Sequence, residues 1–235
     1  MENLKSSGLV MVKASNYNRW QFENFLPFIQ GRVLEIGCGA GNITQLIAST
    51  GLEILSVDIK KEAVRFTKKR VKSKNVSIKN LDIFSKKIRN KLGLFDTIVF
   101  SNVLEHIKND YSALKYCSDY MKNHNSKLIL LVPAHKFIYG SLDREVGHYR
   151  RYNKKMIVDL AIKTGFNIKD MYYFNFVGAI GWFINFKILK RIGSNHDDDA
   201  QVNFFDRFLV QPVKFIESII KPPFGISLIA ILEKK

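Results

Sequence analysis

His106 and His148 are the side chains of this sequence best suited to move a proton, because an imidazole titrates near neutrality and can take one from a hydroxyl. His148 belongs to a polar and aromatic stretch, Ala134 to Tyr152, that also carries Tyr139, Asp143, Arg150 and Arg151. Two adjacent arginines suit acidic or phosphorylated groups, since a guanidinium binds them through paired hydrogen bonds. A third chemical signal is Gly37-Cys38-Gly39-Ala40-Gly41, which follows the apolar run Val33 to Ile36 and precedes a helix start at Asn42. Strand, glycine turn and helix, in that order, let a nucleotide-type cofactor approach the backbone and meet unpaired N–H groups. The spacing lacks the further glycine of the dinucleotide fingerprint, and alone it fits an ordinary glycine loop as well. Asp58 ends the next apolar run, about 20 residues beyond the glycines, where an acid can accept both hydroxyls of a ribose.

These residues need a scaffold, and the chain supplies a regular one. Short apolar runs read as strands at about 33–36, 53–57, 76–79, 95–100, 127–132 and 166–174, and Ile226 to Leu232 closes the set. Helical patterns fall at about 42–49, 61–72 and 109–122, and again from Asn153 to Thr164 with Gly165 as C-cap. Such alternation predicts an α/β fold: a mostly parallel seven-stranded sheet with helices on both faces, binding ligands at the strands' carboxyl ends. Asn16 to Gln30 reads as an N-terminal helix ended or kinked by Pro27, packed beside the cleft with Tyr17 and Arg19 in reach of it. Before the last strand comes an apolar stretch, Phe174 to Leu189, then a polar acidic linker, Arg191 to Gln201. Asn203 then caps an amphipathic helix, bent by Pro212, whose apolar face holds Phe204, Phe205, Phe208, Phe215, Ile216 and Ile219.

The pieces "VLEIGCGAGNIT", "VDI", "LDIF" and "FDTIVFSNVLEHI" resemble, in order and spacing, the class I S-adenosylmethionine-dependent methyltransferases, whose fold is Rossmann-like. "NYNRW", "PAHKFIYGSLDREVGHYRRY", "YFNFVGAIGW" and "PPFGISLIAI" narrow the resemblance to a subgroup found alone or fused to family 2, dolichol-phosphate-mannose-synthase-like glycosyltransferases. The resemblance implies S-adenosylmethionine as cofactor. Gly37, Cys38, Gly39 and Gly41 would carry its methionine portion, and Glu35 would orient the loop or the ammonium. Asp58 would hold the ribose and Asp82 the adenine amino group. Ile59 and Ile83 would enclose the ring, and Asn102 would lie under the methionine end. His106 then falls beside the sulfonium as first candidate for a base, with His148 second. Tyr139, Asp143, Arg150 and Arg151 are the expected substrate ligands. Glu105 and His106 alone make a poor magnesium site, so no metal is expected.

The implied reaction is methyl transfer to a hydroxyl of a small molecule, a glycan or a lipid-linked acceptor. With 235 residues the chain reads as a single domain, 1–235. It comprises an N-terminal helical cap (1–30), a cofactor-binding core (31–174), a helical insertion or lid (175–224) and a last strand (225–235). Cys38 and Cys117 form no disulfide framework, which favours a reducing, cytoplasmic setting. Met1 to Val12 does not read as a signal peptide, and no apolar run reaches spanning length. A net charge of +16 calls for anionic partners. Nucleic acid is one, making an RNA methyltransferase the chief alternative, but Ser101-Asn102-Val103-Leu104 is not the Asn/Asp-Pro-Pro-aromatic motif of amino-group methylation. A non-catalytic cofactor-binding module is the other. An acidic bilayer is the remaining partner, met from the inner face by the 174–189 segment. Trp182 would sit at headgroup depth there, with Lys187, Lys190 and Arg191 facing the lipid.

Overall fold

The computed structural model describes residues 11–85, 88, 91–190 and 196–235, with backbone alone for 196–199. Residues 1–10, 86, 87, 89, 90 and 191–195, Arg191 among them, lie outside the described residues. One seven-stranded sheet organises the chain. Its strands are β1 (Val33–Ile36), β2 (Ile54–Asp58), β3 (Val76–Asn80), β4 (Thr97–Ser101), β5 (Lys127–Pro133), β6 (Phe166–Phe174) and β7 (Ser227–Lys234), in the spatial order β3-β2-β1-β4-β5-β7-β6.

The expected Rossmann-like arrangement is present, but the sheet is mixed rather than mostly parallel. β1, β2, β3, β4 and β5 pair in parallel, whereas β7 runs antiparallel to both β5 and β6. The reason is where the insertion begins and ends. Phe174, at the end of β6, pairs with Ser227, at the start of β7. The chain leaves and re-enters the sheet at one edge, so it returns in the opposite direction and forms a hairpin with a very long loop.

Helices cover both faces. Leu34 and Ile36 of β1 join a core with α4 (Asp110–Ser118) and α6 (Lys154–Thr164). Val33, on the opposite face, joins a second core with α1 (Ser15–Phe25), α2 (Asn42–Ala48) and α3 (Lys61–Arg70). α1 stops at Phe25, and Pro27 lies in a short 3₁₀ turn, Leu26–Phe28. α5 (Ser141–Val146) is a single short helix within the aromatic stretch after β5.

The insertion is helical: α7 (Phe176–Trp182) continues through a π-helical turn, Phe183–Ile188, while α8 (His196–Phe204) runs through a second, Phe205–Leu209, into α9 (Val210–Ile219). Asn203 therefore lies inside α8 and caps nothing, and much of the expected acidic linker is helix. The expected apolar face is split, with Phe205 packed inward on Tyr17 and the rest turned outward. Phe204, Phe208, Phe215, Ile216 and Ile219 are exposed, while Val210 and Val213 are buried. Two acids of the insertion instead turn inward and cap other helices. Asp206 accepts the backbone N–H groups of Asn16 and Tyr17 at the start of α1 (3.2 and 2.7 Å). Glu217 accepts those of Asn175 and Phe176 at the start of α7 (both 2.9 Å).

Candidate active site

At the carboxyl ends of β1, β2 and β4 a cleft of about 700 Å³ opens above the glycine turn. Gly37 has φ +81°, and a Cβ there would stand 2.4 Å from a Val103 methyl, so only glycine fits. Gly39 has φ +52° and nothing within 4 Å of an added Cβ, which leaves its backbone open to a ligand. Its N–H donates to Asp58 Oδ2 (3.0 Å), and the Lys60 N–H donates to Oδ1 (2.9 Å). The acid at the end of β2 thus ties the turn to its neighbour strand.

Of the expected cofactor ligands, Glu35, Gly37, Cys38, Gly39, Asp58, Ile59, Asp82, Ile83 and Asn102 all line this one cleft. Gly41 does not; it forms the N-cap of α2. Glu35 is buried and holds α2 to β2, accepting from Thr44 Oγ1 and Ser56 Oγ (both 2.6 Å). Burial pushes its carboxyl up to about 7, against those two hydroxyls. Burial likewise pushes the Cys38 thiol up to about 12, which leaves no thiolate for covalent chemistry. Asn102 takes the left-handed backbone (φ +53°) that asparagine tolerates, turning the chain sharply after β4. Ile59, 70% exposed at the end of β2, offers an apolar surface beside buried Ile83.

Further wall residues come from α1, outside the residues expected to bind the cofactor. Asn18 and Gln21 line the cleft from α1, where they are buried polar side chains between Tyr17, Trp20 and Phe22. Tyr17 turns away and packs on Phe174 and Phe205. Two amides three residues apart within an aromatic helical pattern are the signal for Asn18 and Gln21.

His106 lines the cleft at the end of a 3₁₀ turn, Leu104–His106, and is exposed. His148 stands next to it, the two rings 4.7 Å apart and edge to face. The expected substrate ligands do not reach the cleft; they pin the loop that carries His148. Asp143 and Arg151 are buried and bind one another, the guanidinium Nε donating to both carboxylate oxygens (2.9 and 3.0 Å). Asp143 also faces His148 Nδ1 (2.7 Å) and accepts from Gly140 N–H (2.8 Å). Burial opposes ionisation of Asp143, but the His148 hydrogen bond and the Arg151 charge together hold its carboxyl below the ordinary range. Arg150 pairs with Asp110 (2.6 Å), and the Tyr139 hydroxyl donates to the His148 carbonyl (2.7 Å). The loop instead presents Val146, Gly147 and Tyr149 to the cleft.

Beneath the imidazole pair lies Glu105. It is fully buried, with Oε1 3.8 Å from His148 Nε2, and neither carboxylate oxygen has a hydrogen-bond partner. Among the described residues Glu105, His106 and His148 form the one group whose donor atoms lie within 4.8 Å of each other. One carboxylate and two imidazoles make a set suited to a transition ion rather than to magnesium.

Residues 34–125 match a family described as a methyltransferase domain. The ubiquinone biosynthesis O-methyltransferase of Chromobacterium violaceum is 24% identical over 135 residues, 52% of this chain and 58% of that protein. The ribosomal RNA small subunit methyltransferase A of Mycoplasma mobile is 37% identical over 65 residues, 28% of this chain and 26% of that protein. The chain therefore spans little more than half the length of the one and about a quarter of the other. Among solved structures, coclaurine N-methyltransferase bound to N-methylheliamine and S-adenosylhomocysteine superposes with a TM-score of 0.60 at 14% identity. That match covers 92% of this chain and 72% of that one. The seven-stranded fold is the one found in solved methyltransferases, and residues 34–125 are similar to a methyltransferase domain. The glycine cradle, the acid after β2 and the apolar pair Ile59 and Ile83 fit a cofactor such as S-adenosylmethionine.

Proposed function

We propose that the protein transfers a methyl group from S-adenosylmethionine to a hydroxyl of a small-molecule, glycan or lipid-linked acceptor. The bound cofactor supplies an activated methyl group, so the chain's own work is to position the acceptor, exclude water and take a proton. The observation that carries the reading is the imidazole pair at the mouth of the cleft. His106 lines the cleft beside Asn102, and His148, set by buried Asp143, braces its ring. His106 is assigned the proton from the acceptor, His148 its orientation. Gly37, Gly39 and Asn102 are assigned the methionine end, Asp58 the ribose, and Asp82 with Ile59 and Ile83 the adenine.

The motifs shared with methyltransferases found alone or beside family 2 glycosyltransferases favour a lipid-linked or sugar-bearing acceptor. The enzyme would then work in the cytoplasm, at the inner face of the membrane. No helix among the described residues is long and apolar enough to cross it. The net charge of +16 also suits RNA, which keeps a nucleic-acid methyltransferase as the second reading. Transfer of radiolabelled methyl groups to membrane, soluble and RNA extracts tests both. Base-stable label in the membrane or small-molecule fraction is expected. Label in RNA alone would replace the first reading with the second.

A further inference from the structure

We infer that the α7 and α9 arms of the insertion, 176–190 and 205–221, are a docking surface for a bilayer with anionic headgroups, seated so that a membrane-borne acceptor enters the cleft from it. This names the surface behind the proposed lipid-linked acceptor, and it stands or falls on binding alone, without methyl transfer.

The described part of the insertion leaves unusually large apolar side chains in water. On the α7 arm these are Phe183, Ile184, Ile188 and Leu189. On the α9 arm they are Phe208, Phe215, Ile219 and Ile220, with Phe215 and Ile219 about two-thirds exposed. Scattered exposed apolar residues need no explanation, but runs of them on two helices that meet at one end do. The arms meet at one joint, where Glu217 of α9 caps α7 and Phe176 packs against Phe224. Each arm contains a π-helical turn, a device common at functional sites.

Charge selects the occupant. Lys187, Lys190, Arg207 and Lys221 are exposed among these apolar residues. The two acids whose side chains are described on the same arms, Asp206 and Glu217, are spent on helix caps. Asp197 to Asp199, at the start of α8, are the acidic exception in the sequence. An apolar surface studded with lysine and arginine suits the boundary between acyl chains and anionic headgroups. A second copy of the chain fits it poorly, since each brings a net charge of +16. Trp182 is not the headgroup anchor that its type suggests. Its ring lies on the Arg151 guanidinium (4.6 Å) with Nε1 buried, and Phe174 is also buried.

The surface adjoins the site. The Phe186 carbonyl accepts from Ser141 Oγ (3.3 Å) at the start of α5, whose last residue, Val146, lines the cleft next to Gly147.

The test is co-sedimentation of the intact chain with vesicles of phosphatidylglycerol mixed with phosphatidylcholine, and with phosphatidylcholine alone. Binding to the mixed vesicles that weakens as salt rises is expected, with little binding to the neutral ones. The double variant Phe215→Ser, Ile219→Ser should lose at least about tenfold of that affinity, as should Phe183→Ser, Ile188→Ser in the other arm. Calorimetric titration with S-adenosylmethionine serves as the check on folding. No sedimentation of the wild type at low salt overturns the inference, whatever the variants do. So does a wild-type dimer without lipid that both double variants turn into monomer. Vesicle binding without methyl transfer to any extract would instead leave the surface standing and remove the proposed reaction.

Discussion

Asp143 Oδ1 lies 2.7 Å from His148 Nδ1, and the same carboxylate receives Arg151 Nε on both oxygens. An ionised carboxylate only accepts hydrogen bonds, so Nδ1–H donates to it and Nε2 is turned toward Glu105 Oε1, 3.8 Å away. His148 is therefore a brace whose tautomer is set from behind, while His106 is the imidazole on the cleft wall. His106→Ala should lower turnover on a hydroxyl acceptor by roughly 100-fold or more and leave cofactor affinity intact. Asp143→Asn should lower turnover less and shift its pH profile, because the tautomer is no longer fixed. Steady-state rates across pH for both variants test this. Full activity in His106→Ala with loss in His148→Ala would exchange the two roles.

Glu105 gives the same cluster a pH signature in stability. Burial pushes its carboxyl up to about 8, although the Arg151 charge works against this. In the unfolded chain the group titrates near its ordinary value of 4.5. Between those two values the folded chain keeps a proton that the unfolded chain has released. The stability from this group is thus whole below 4.5 and is lost as pH rises through 8, at up to about 1.4 kcal/mol per pH unit. Glu35, pushed up to about 7, adds a decline with the same sign over a narrower window. Asp143 has the opposite sign: its contribution is present above the ordinary carboxylate range and is lost on acidification. Urea midpoints measured from pH 5 to 8 should fall for the wild type and fall less steeply for Glu105→Gln. An identical slope in the variant would show that Glu105 ionises normally.

Asp58→Ala should weaken S-adenosylmethionine binding by at least about tenfold, since a charged acceptor for two hydroxyls is worth more than a neutral hydrogen bond. The structure adds a second cause, loss of the acceptor that fixes Gly39 N–H. Isothermal titration with S-adenosylmethionine and S-adenosylhomocysteine measures it, and unchanged affinity would remove Asp58 from the site.

The glycine-turn side of the cleft was legible because its geometry is local. A strand, a glycine turn with φ values that only glycine favours, and an acid at the next strand's end leave a mark within a few residues. The acceptor half was not. Asp143 and Arg151 look like ligands for a polar substrate, the arginine for its anionic groups, and only the fold shows that each is the other's partner. α9 has the apolar stripe of a buried helix, but periodicity does not say whether a stripe faces core or solvent. Its neighbouring π turn also shifts the register that a 3.6-residue period assumes. Asp206 and Glu217 read as surface acids, because the N–H groups they cap are supplied by other helices.

Those two caps yield a prediction about how the insertion is held. Asp206 binds the start of α1 across a separation of 189 residues, and Glu217 binds the start of α7 across 42. A carboxylate at a helix N-terminus satisfies unpaired N–H groups and opposes the helix dipole, and removing such a cap costs about 0.5–2 kcal/mol. Asp206→Ala and Glu217→Ala should each destabilise the fold within that range. They cap different helices and share no partner, so the double variant should lose the sum of the two within about 0.5 kcal/mol. Urea unfolding of the four proteins completes the cycle. If the insertion were loosely attached, neither substitution would move the midpoint. A double variant that loses much less than the sum would mean that the two arms detach together once either cap is removed.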